Sequence, residues 1–117
     1  MTDPLDRARF HARQWLDALS TCPAGAQASA AELRAAFEGP LPETGRDAAA
    51  IIDDLAAKAT PGLNANASGR FFAWVMAGSL PSATAADWLV SAWDQNVGLF
   101  SVAPAAAMIE EVTGEWL

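Results

Sequence analysis

The stretch Arg70–Phe100 has the sequence RFFAWVMAGSLPSATAADWLVSAWDQNVGLF. It holds three of the five tryptophans and three of the five phenylalanines, and its only charged residues are Arg70, Asp87 and Asp94. A hydrophobic core can be built from Leu, Ile and Val alone. Paired aromatics followed by GSLP, a Trp-Leu step and a WDQN turn are therefore more specific than core building requires.

The pattern within and beyond this stretch predicts helices after one short extended segment. Residues 71–76 form an apolar run that is too short for a helix, so we expect an extended segment near 70–76. A helix is expected from Pro81 or Ser82 to about Asn96, with a buried side made of Leu89, Val90, Trp93 and Val97. Another is expected from Pro104, carrying Ile109, Val112 and Trp116.

Three further helices are expected upstream, each with a recognisable start. The first begins at Asp3 or Pro4 and ends before Cys22-Pro23. Ser29 with Glu32 three residues later predicts a capping box at the start of the second. Thr44 with Asp47 resembles a third start, and the TPG sequence at 60–62 ends that helix. The predicted fold class is mainly α.

Composition limits the partners of this chain. It has 117 residues, so one domain is expected. A net charge of −7 argues against nucleic acids and anionic membranes, which need a basic face. The basic residues Arg7, Arg9 and Arg13 are expected on a solvated helix face. One cysteine, Cys22, allows no intrachain disulfide, and the charged N-terminus lacks a signal-peptide core, so a cytoplasmic location is expected.

The residues alone do not supply a catalytic constellation. His11 is the only histidine, so Ser-His-Asp and metal-triad sites lack support, no metal site is expected, and His11 is interpreted as a solvated residue. The adjacent pairs Asp53-Asp54 and Glu110-Glu111 point about 100° apart on a helix, so neither converges on one atom. Lys58, the only lysine, is interpreted as a charge suited to a helix C-terminus.

A set of motifs in a fixed order resembles the N-terminal part of the pyridoxal-phosphate-dependent amino-acid decarboxylases of group II, the group that includes aromatic amino-acid decarboxylase. The matching residues are Arg70-Phe71-Phe72, Leu80-Pro81, Ala86-Asp87-Trp88-Leu89, Asp94-Gln95-Asn96, Pro104, Glu110-Glu111 and Trp116-Leu117. Residues 55–63 are also similar to the end of that family's first helical segment. The resemblance implies the N-terminal segment of a fold-type-I enzyme, whose full fold is α/β.

The resemblance also implies an organisation and a site. Residues 1–62 would be a three-helix part that wraps over a partner subunit, and residues 63–117 would lead into a catalytic domain that this chain lacks. The family implies a homodimer, pyridoxal 5'-phosphate and an amino-acid substrate. The residues matching its substrate-pocket wall are Phe72, Trp74 and Val75, with Asn96, Gly98 and Phe100 reaching it from the neighbouring subunit.

The chain also departs from the family's pattern. Many members have His-Pro just before the aromatic pair, where this chain has Ser68-Gly69-Arg70. Residues 76–78 replace a Pro-Thr step of the aromatic decarboxylases, so the substrate amino acid stays open. Lys58 does not match the family's histidine-lysine cofactor motif, and no catalytic or cofactor-binding residue is assigned to this chain. The ending Trp116-Leu117 resembles a cut within a helix.

Two functions therefore remain open at this point. The first is the N-terminal part of a pyridoxal-phosphate-dependent decarboxylase, which contributes dimer interface and substrate-pocket wall and is not catalytically complete alone. The alternative is a stand-alone acidic helical module, used for protein interaction or regulation and derived from the same segment.

Overall fold

The structure, a computed structural model, describes residues 3–76 and 78–117, and these are mainly helical. The prediction of a mainly α fold is confirmed, and the described residues contain no β-strand. The helices are α1 (Pro4–Ala18), α2 (Ala30–Phe37), α3 (Ala48–Ala59), α4 (Pro81–Trp93) and α5 (Pro104–Glu115). A single 3-10 turn, Thr60–Gly62, follows α3 directly.

The chain divides into two compact units, which we call unit 1 (Met1–Gly78) and unit 2 (Ser79–Leu117). In unit 1, α3 is the central element and packs against both α1 and α2. Within unit 2, α4 and α5 do not pack against each other to a similar extent. The two units therefore differ in how much of their apolar surface they can cover internally.

Two helices of unit 1 begin where the sequence predicts, whereas the third begins at Ala48, with Asp47 as its cap, rather than at the predicted start at Thr44. The Asp3 side chain accepts a hydrogen bond from the Leu5 backbone N–H at 2.8 Å. Ser29 and Glu32 form the predicted reciprocal capping box, in which each side chain accepts from the backbone N–H of the other residue. Asp47 caps α3 by accepting from the Ala50 N–H at 3.0 Å. These side chains satisfy N–H groups that a helix leaves free at its start.

Two loops of unit 1 are joined by backbone hydrogen bonds. The Pro61 carbonyl accepts from the N–H groups of Gln27 and Ala28, at 2.8 and 2.9 Å. The Ala65 N–H donates to the Ala24 carbonyl at 2.9 Å. The Arg70 guanidinium donates to the Cys22 carbonyl, which adds a third tie between the same loops. The loop after α1 and the loop after α3 are thereby fixed to each other.

Two predictions for the aromatic stretch are wrong, namely the conformation of one segment and the end of one helix. The expected extended segment near 70–76 is irregular, with a bend at residues 73–75, and Trp74 lies in the left-handed region at φ 55°. The fourth helix ends at Trp93 rather than near Asn96, because Asp94 adopts a left-handed conformation at φ 47°. A residue in that conformation terminates a helix, and Asp tolerates it better than most side chains.

The core of the described residues is small. Its buried members are Ala49, Ala65 and Ala103, with Ser68 as a buried polar residue, and no large side chain is fully buried. The predicted buried side of α4 is wrong in this respect. Its residues are roughly half to two thirds exposed: Leu89, Val90, Trp93 and the following Val97. The helical periodicity of these residues is present, but the described residues of unit 2 do not cover them.

Candidate functional site

The first group of predicted pocket residues lies on one loop of unit 1. Phe72 is 90% exposed, Trp74 is 79% exposed, and Val75 is fully exposed. The left-handed conformation of Trp74 costs about 1–2 kcal/mol for a residue with a β-carbon. The loop therefore presents large apolar side chains that are not packed into the core of the described residues. The preceding Phe71 is half-buried.

The second group of predicted pocket residues lies on one turn of unit 2, directly after α4. The Asn96 side-chain oxygen accepts a hydrogen bond from the Gly98 N–H at 3.1 Å. The Gln95 side chain donates to the Trp93 carbonyl at 2.7 Å. Asn and Asp side chains commonly stabilise turns in this way. Asp94, Gln95 and Asn96 thus each have a local structural role, whereas Phe100, 60% exposed, has none.

A polar cluster that the sequence did not predict joins α1 to α3. One oxygen of Asp53, Oδ1, accepts from Arg7 Nε and from His11 Nε2, both at 2.7 Å. The Phe10 ring lies 4.8 Å below the Arg7 guanidinium carbon and meets His11 edge-on, with centroids 5.2 Å apart. The expectation that His11 is only solvated is wrong, since it bonds a carboxylate on another helix.

The hydrogen bond from His11, followed by the one from Arg7, lowers the pKa of Asp53 below its ordinary value. Both donors stabilise the ionised carboxylate, which is the usual cause of such a shift. No nucleophile lies among these contacts, so the cluster fastens α1 to α3 rather than forming a catalytic triad. The sequence held no signal for it because the partners are more than forty residues apart.

Asp54, the neighbouring carboxylate, has different hydrogen-bond partners, because adjacent side chains on a helix point in different directions. Asp54 Oδ2 accepts from Lys58 Nζ at 2.9 Å and from Arg46 Nη1 at 3.3 Å. The bond from Lys58, followed by that from Arg46, lowers the pKa of Asp54. The i,i+4 spacing of Asp54 and Lys58 is the one part of this cluster that the sequence could have indicated.

The described residues do not fit pyridoxal phosphate. The cofactor needs a lysine amine to hold it covalently. The amine of Lys58, the only lysine, is bonded to the Asp54 carboxylate at the end of α3. No group of three or more His, Cys, Asp or Glu within 3–76 and 78–117 could hold a metal ion. Among the helices described, none is long and apolar enough to cross a membrane.

Helix α5 presents an apolar face with acidic borders. A shallow groove on it is lined by Met108, Ile109, Val112, Thr113 and Trp116. At about 100° per residue, Glu111 and Glu115 border this face on one side and Glu110 lies beyond its other side. Trp116 is 79% exposed. The face has the composition of a contact surface, with apolar residues at the centre and charges at the rim.

The total accessible surface indicates how much surface is left uncovered. It is 9450 Å² for this 12.2-kDa chain. A compact monomer of that mass exposes roughly 6,000 Å², and two separate compact bodies of the sizes of the two units would expose roughly 7,200 Å² together. The excess is therefore roughly 2,000 Å² or more, larger than the roughly 800 Å² that one partner buries in a standard protein interface.

Comparisons of this chain with protein-family models, with curated proteins and with solved structures gave no match.

Proposed function

We propose that this chain is the N-terminal part of a pyridoxal-phosphate-dependent amino-acid decarboxylase, in which it contributes dimer interface and substrate-pocket wall. The observation that carries the proposal is the ordered set of motifs from Arg70 to Leu117, of whose aromatic members Phe72 and Trp116 are largely exposed. Large apolar side chains without a core of their own need a partner surface. A second subunit and a catalytic domain would supply that surface.

In this proposal the described residues supply shape and water exclusion rather than bond breaking. Phe72, Trp74 and Val75 would form one apolar wall, and Phe100 would belong to another, held by the turn that Asn96 and Gly98 make. Apolar walls around a substrate carboxylate disfavour its charged form and favour its loss. The cofactor would supply the electron-accepting group, and its lysine would lie outside this chain.

The reading frame beyond the codon for Leu117 is the direct test. An in-frame continuation of a few hundred residues with a histidine-lysine pair supports the proposal. A continuation without any such pair, or a stop codon at that point, overturns it. Titration of the purified chain with pyridoxal phosphate gives a second reading. We expect the absorbance spectrum of free cofactor, without the band of a specifically bound cofactor. Any band from a lysine Schiff base should disappear in Lys58→Ala.

The alternative is a stand-alone acidic interaction module, and one observation favours it. Unit 1 ties its helices and loops together with contacts of its own, including the α1–α3 cluster and the bonds to the Pro61 carbonyl. A monomer in sedimentation that unfolds in one cooperative transition would support this alternative. Tight oligomers or aggregation would instead support the proposal that the chain is part of a decarboxylase, separated from the surfaces that normally cover it.

A further inference from the structure

The charges of this chain are divided unevenly between its two units. All seven Lys and Arg residues and the only histidine lie in unit 1. Unit 2 carries Asp87, Asp94, Glu110, Glu111 and Glu115 and no basic residue, and all five carboxylates are exposed. Unit 2 can therefore form no ion pair within itself.

Unit 2 also cannot cover its apolar residues. It has 39 residues by its bounds at Ser79 and Leu117, and chains below about 40 residues rarely build a sufficient core. Its one buried hydrophobic residue is Ala103. Its largest apolar side chains are exposed over a third to four fifths of their surface: Trp88, Trp93, Phe100, Ile109 and Trp116. A surface outside unit 2 is required to cover these side chains.

We propose that unit 2 docks on a protein surface that is apolar at its centre and carries Lys or Arg at its rim. On α5, the carboxylates of Glu110 and Glu111 lie on opposite sides of the apolar face, where rim cations would meet them. On α4, Asp87 stands beside the exposed face that holds Leu89, Val90 and Trp93 at helical spacing. This arrangement does not depend on the decarboxylase proposal.

The charge pattern selects this occupant over two others. A second copy of unit 2 would bring five carboxylates against five with no cation between them, which is unfavourable in a desolvated interface. An anionic membrane attracts basic segments and repels acidic ones. A basic, apolar protein surface is the occupant that matches both the charge and the exposed aromatics.

The test uses the full chain and synthetic amphipathic peptides of about 18 residues, long enough for a stable helix. One peptide contains Leu and Lys, a second contains Leu and Gln, and a third contains Leu and Glu, in the same pattern. We expect the Leu/Lys peptide to bind at least tenfold more tightly than the Leu/Gln peptide at low salt. The difference should shrink at high salt because the rim charges are exposed.

The location of the docking surface on α5 is tested with two double variants that change the net charge equally. The double variant Glu110→Gln/Glu111→Gln should weaken binding of the Leu/Lys peptide by about three- to tenfold. The control Glu38→Gln/Glu43→Gln makes the same change at exposed positions of unit 1 and should leave the affinity within twofold. Val112→Asp should abolish binding by placing a charge on the apolar face. Far-UV circular dichroism should show unchanged helix content in all three.

Hydrogen exchange adds a measurement that does not depend on any variant. Bound Leu/Lys peptide should protect amides of α4 and α5 and leave those of α1 and α3 unchanged. Equal binding of the Leu/Gln peptide, equal weakening by the control variant, or protection confined to unit 1 would overturn the proposal. So would a dimer that Val112→Asp dissociates, or binding to vesicles of anionic phospholipid.

Discussion

The substitution Gly62→Ala probes the packing that holds unit 1 together. Gly62 ends the 3-10 turn after α3, and a β-carbon placed there would lie 2.6 and 2.8 Å from the two methyl carbons of Leu33 on α2. Ordinary carbon contacts are about 3.5–4.0 Å, so the overlap is about 1 Å. The absence of a side chain at this position is what allows α2 to approach the end of α3 so closely.

The magnitude follows from two opposing effects. Overpacking by one methyl costs about 1–3 kcal/mol where the neighbour must shift. Leu33 is half-buried and can turn partly toward solvent, which places the cost in the lower part of that range. Replacing Gly by Ala also reduces the freedom of the unfolded chain, which stabilises by about 0.4–1 kcal/mol. We expect a net destabilisation of about 0.5–1 kcal/mol and a Tm lower by about 4 °C.

Thermal unfolding followed by far-UV circular dichroism measures the change, with Gly45→Ala as the matched control. A β-carbon at Gly45 meets no atom within 4 Å, so that variant should be neutral or slightly stabilising. In a Leu33→Ala background the overlap is removed, and Gly62→Ala should then behave like the control. If Gly62→Ala is as stable as Gly45→Ala, or if its effect persists without the Leu33 side chain, the close α2–turn contact is refuted.

Three further outcomes are expected. Ser29→Ala removes the acceptor for the Glu32 N–H at the start of α2 and should lower the free energy of unfolding by about 1 kcal/mol in urea titration, and an unchanged value would contradict the capping box. Because the pKa of Asp53 is lowered in the folded chain, its contribution to stability is complete above the ordinary value of about 3.9 and is lost as the pH falls through the lowered value. Asp53→Asn should therefore lower stability at pH 7 and reduce the slope of stability against pH below about 4, and a slope equal to that of the unchanged protein would contradict the α1–α3 cluster. Asn96→Ala removes the bond to the Gly98 N–H and should increase hydrogen exchange at Gly98 while leaving exchange in α1 and α3 unchanged, whereas unaltered exchange at Gly98 would show that this turn does not need the side chain.

Most helix starts were predictable because they depend on residues close together in sequence, although the third helix begins after Asp47 rather than at Thr44. Asp3, Ser29 and Asp47 each cap a helix through an N–H two or three residues later. The α1–α3 cluster was not predictable, because Arg7 and Asp53 meet only through the packing of their helices. Interactions between distant residues leave no spacing pattern in a single sequence.

The predictions of where α4 ends and of which residues it buries failed for different physical reasons. The pattern of apolar residues continues past Trp93, so periodicity alone extended α4, whereas the conformation of Asp94 ended it. Burial on α4 was inferred from the rule that an apolar stripe faces a core. That rule assumes that the chain itself supplies the opposing surface, and the described residues do not supply it.

The residues that carry the resemblance to the decarboxylases can be divided by whether local structure already explains them. Arg70 donates to the Cys22 carbonyl, Asp94 ends a helix and Asn96 closes a turn, so each would be selected by folding alone. Pro81 and Pro104 occupy the first turns of α4 and α5, where Pro is common in any helix. Each such residue, taken singly, would be found in many unrelated helical proteins, so the resemblance depends on their order and spacing together with the exposed aromatics.

The exposed aromatics are different, because nothing in the described part of the chain requires them. Phe72 and Trp74 occupy an exposed loop, one of them in a costly backbone conformation, and Trp116 is exposed at the end of α5. Polar residues at these positions would make the isolated chain more soluble without loss of core packing. Function should therefore depend on these aromatics far more than stability does. Polar substitution of Phe72 and Trp116 should leave the unfolding transition within about 0.5 kcal/mol, the usual range for surface positions, while weakening association with whatever surface covers them.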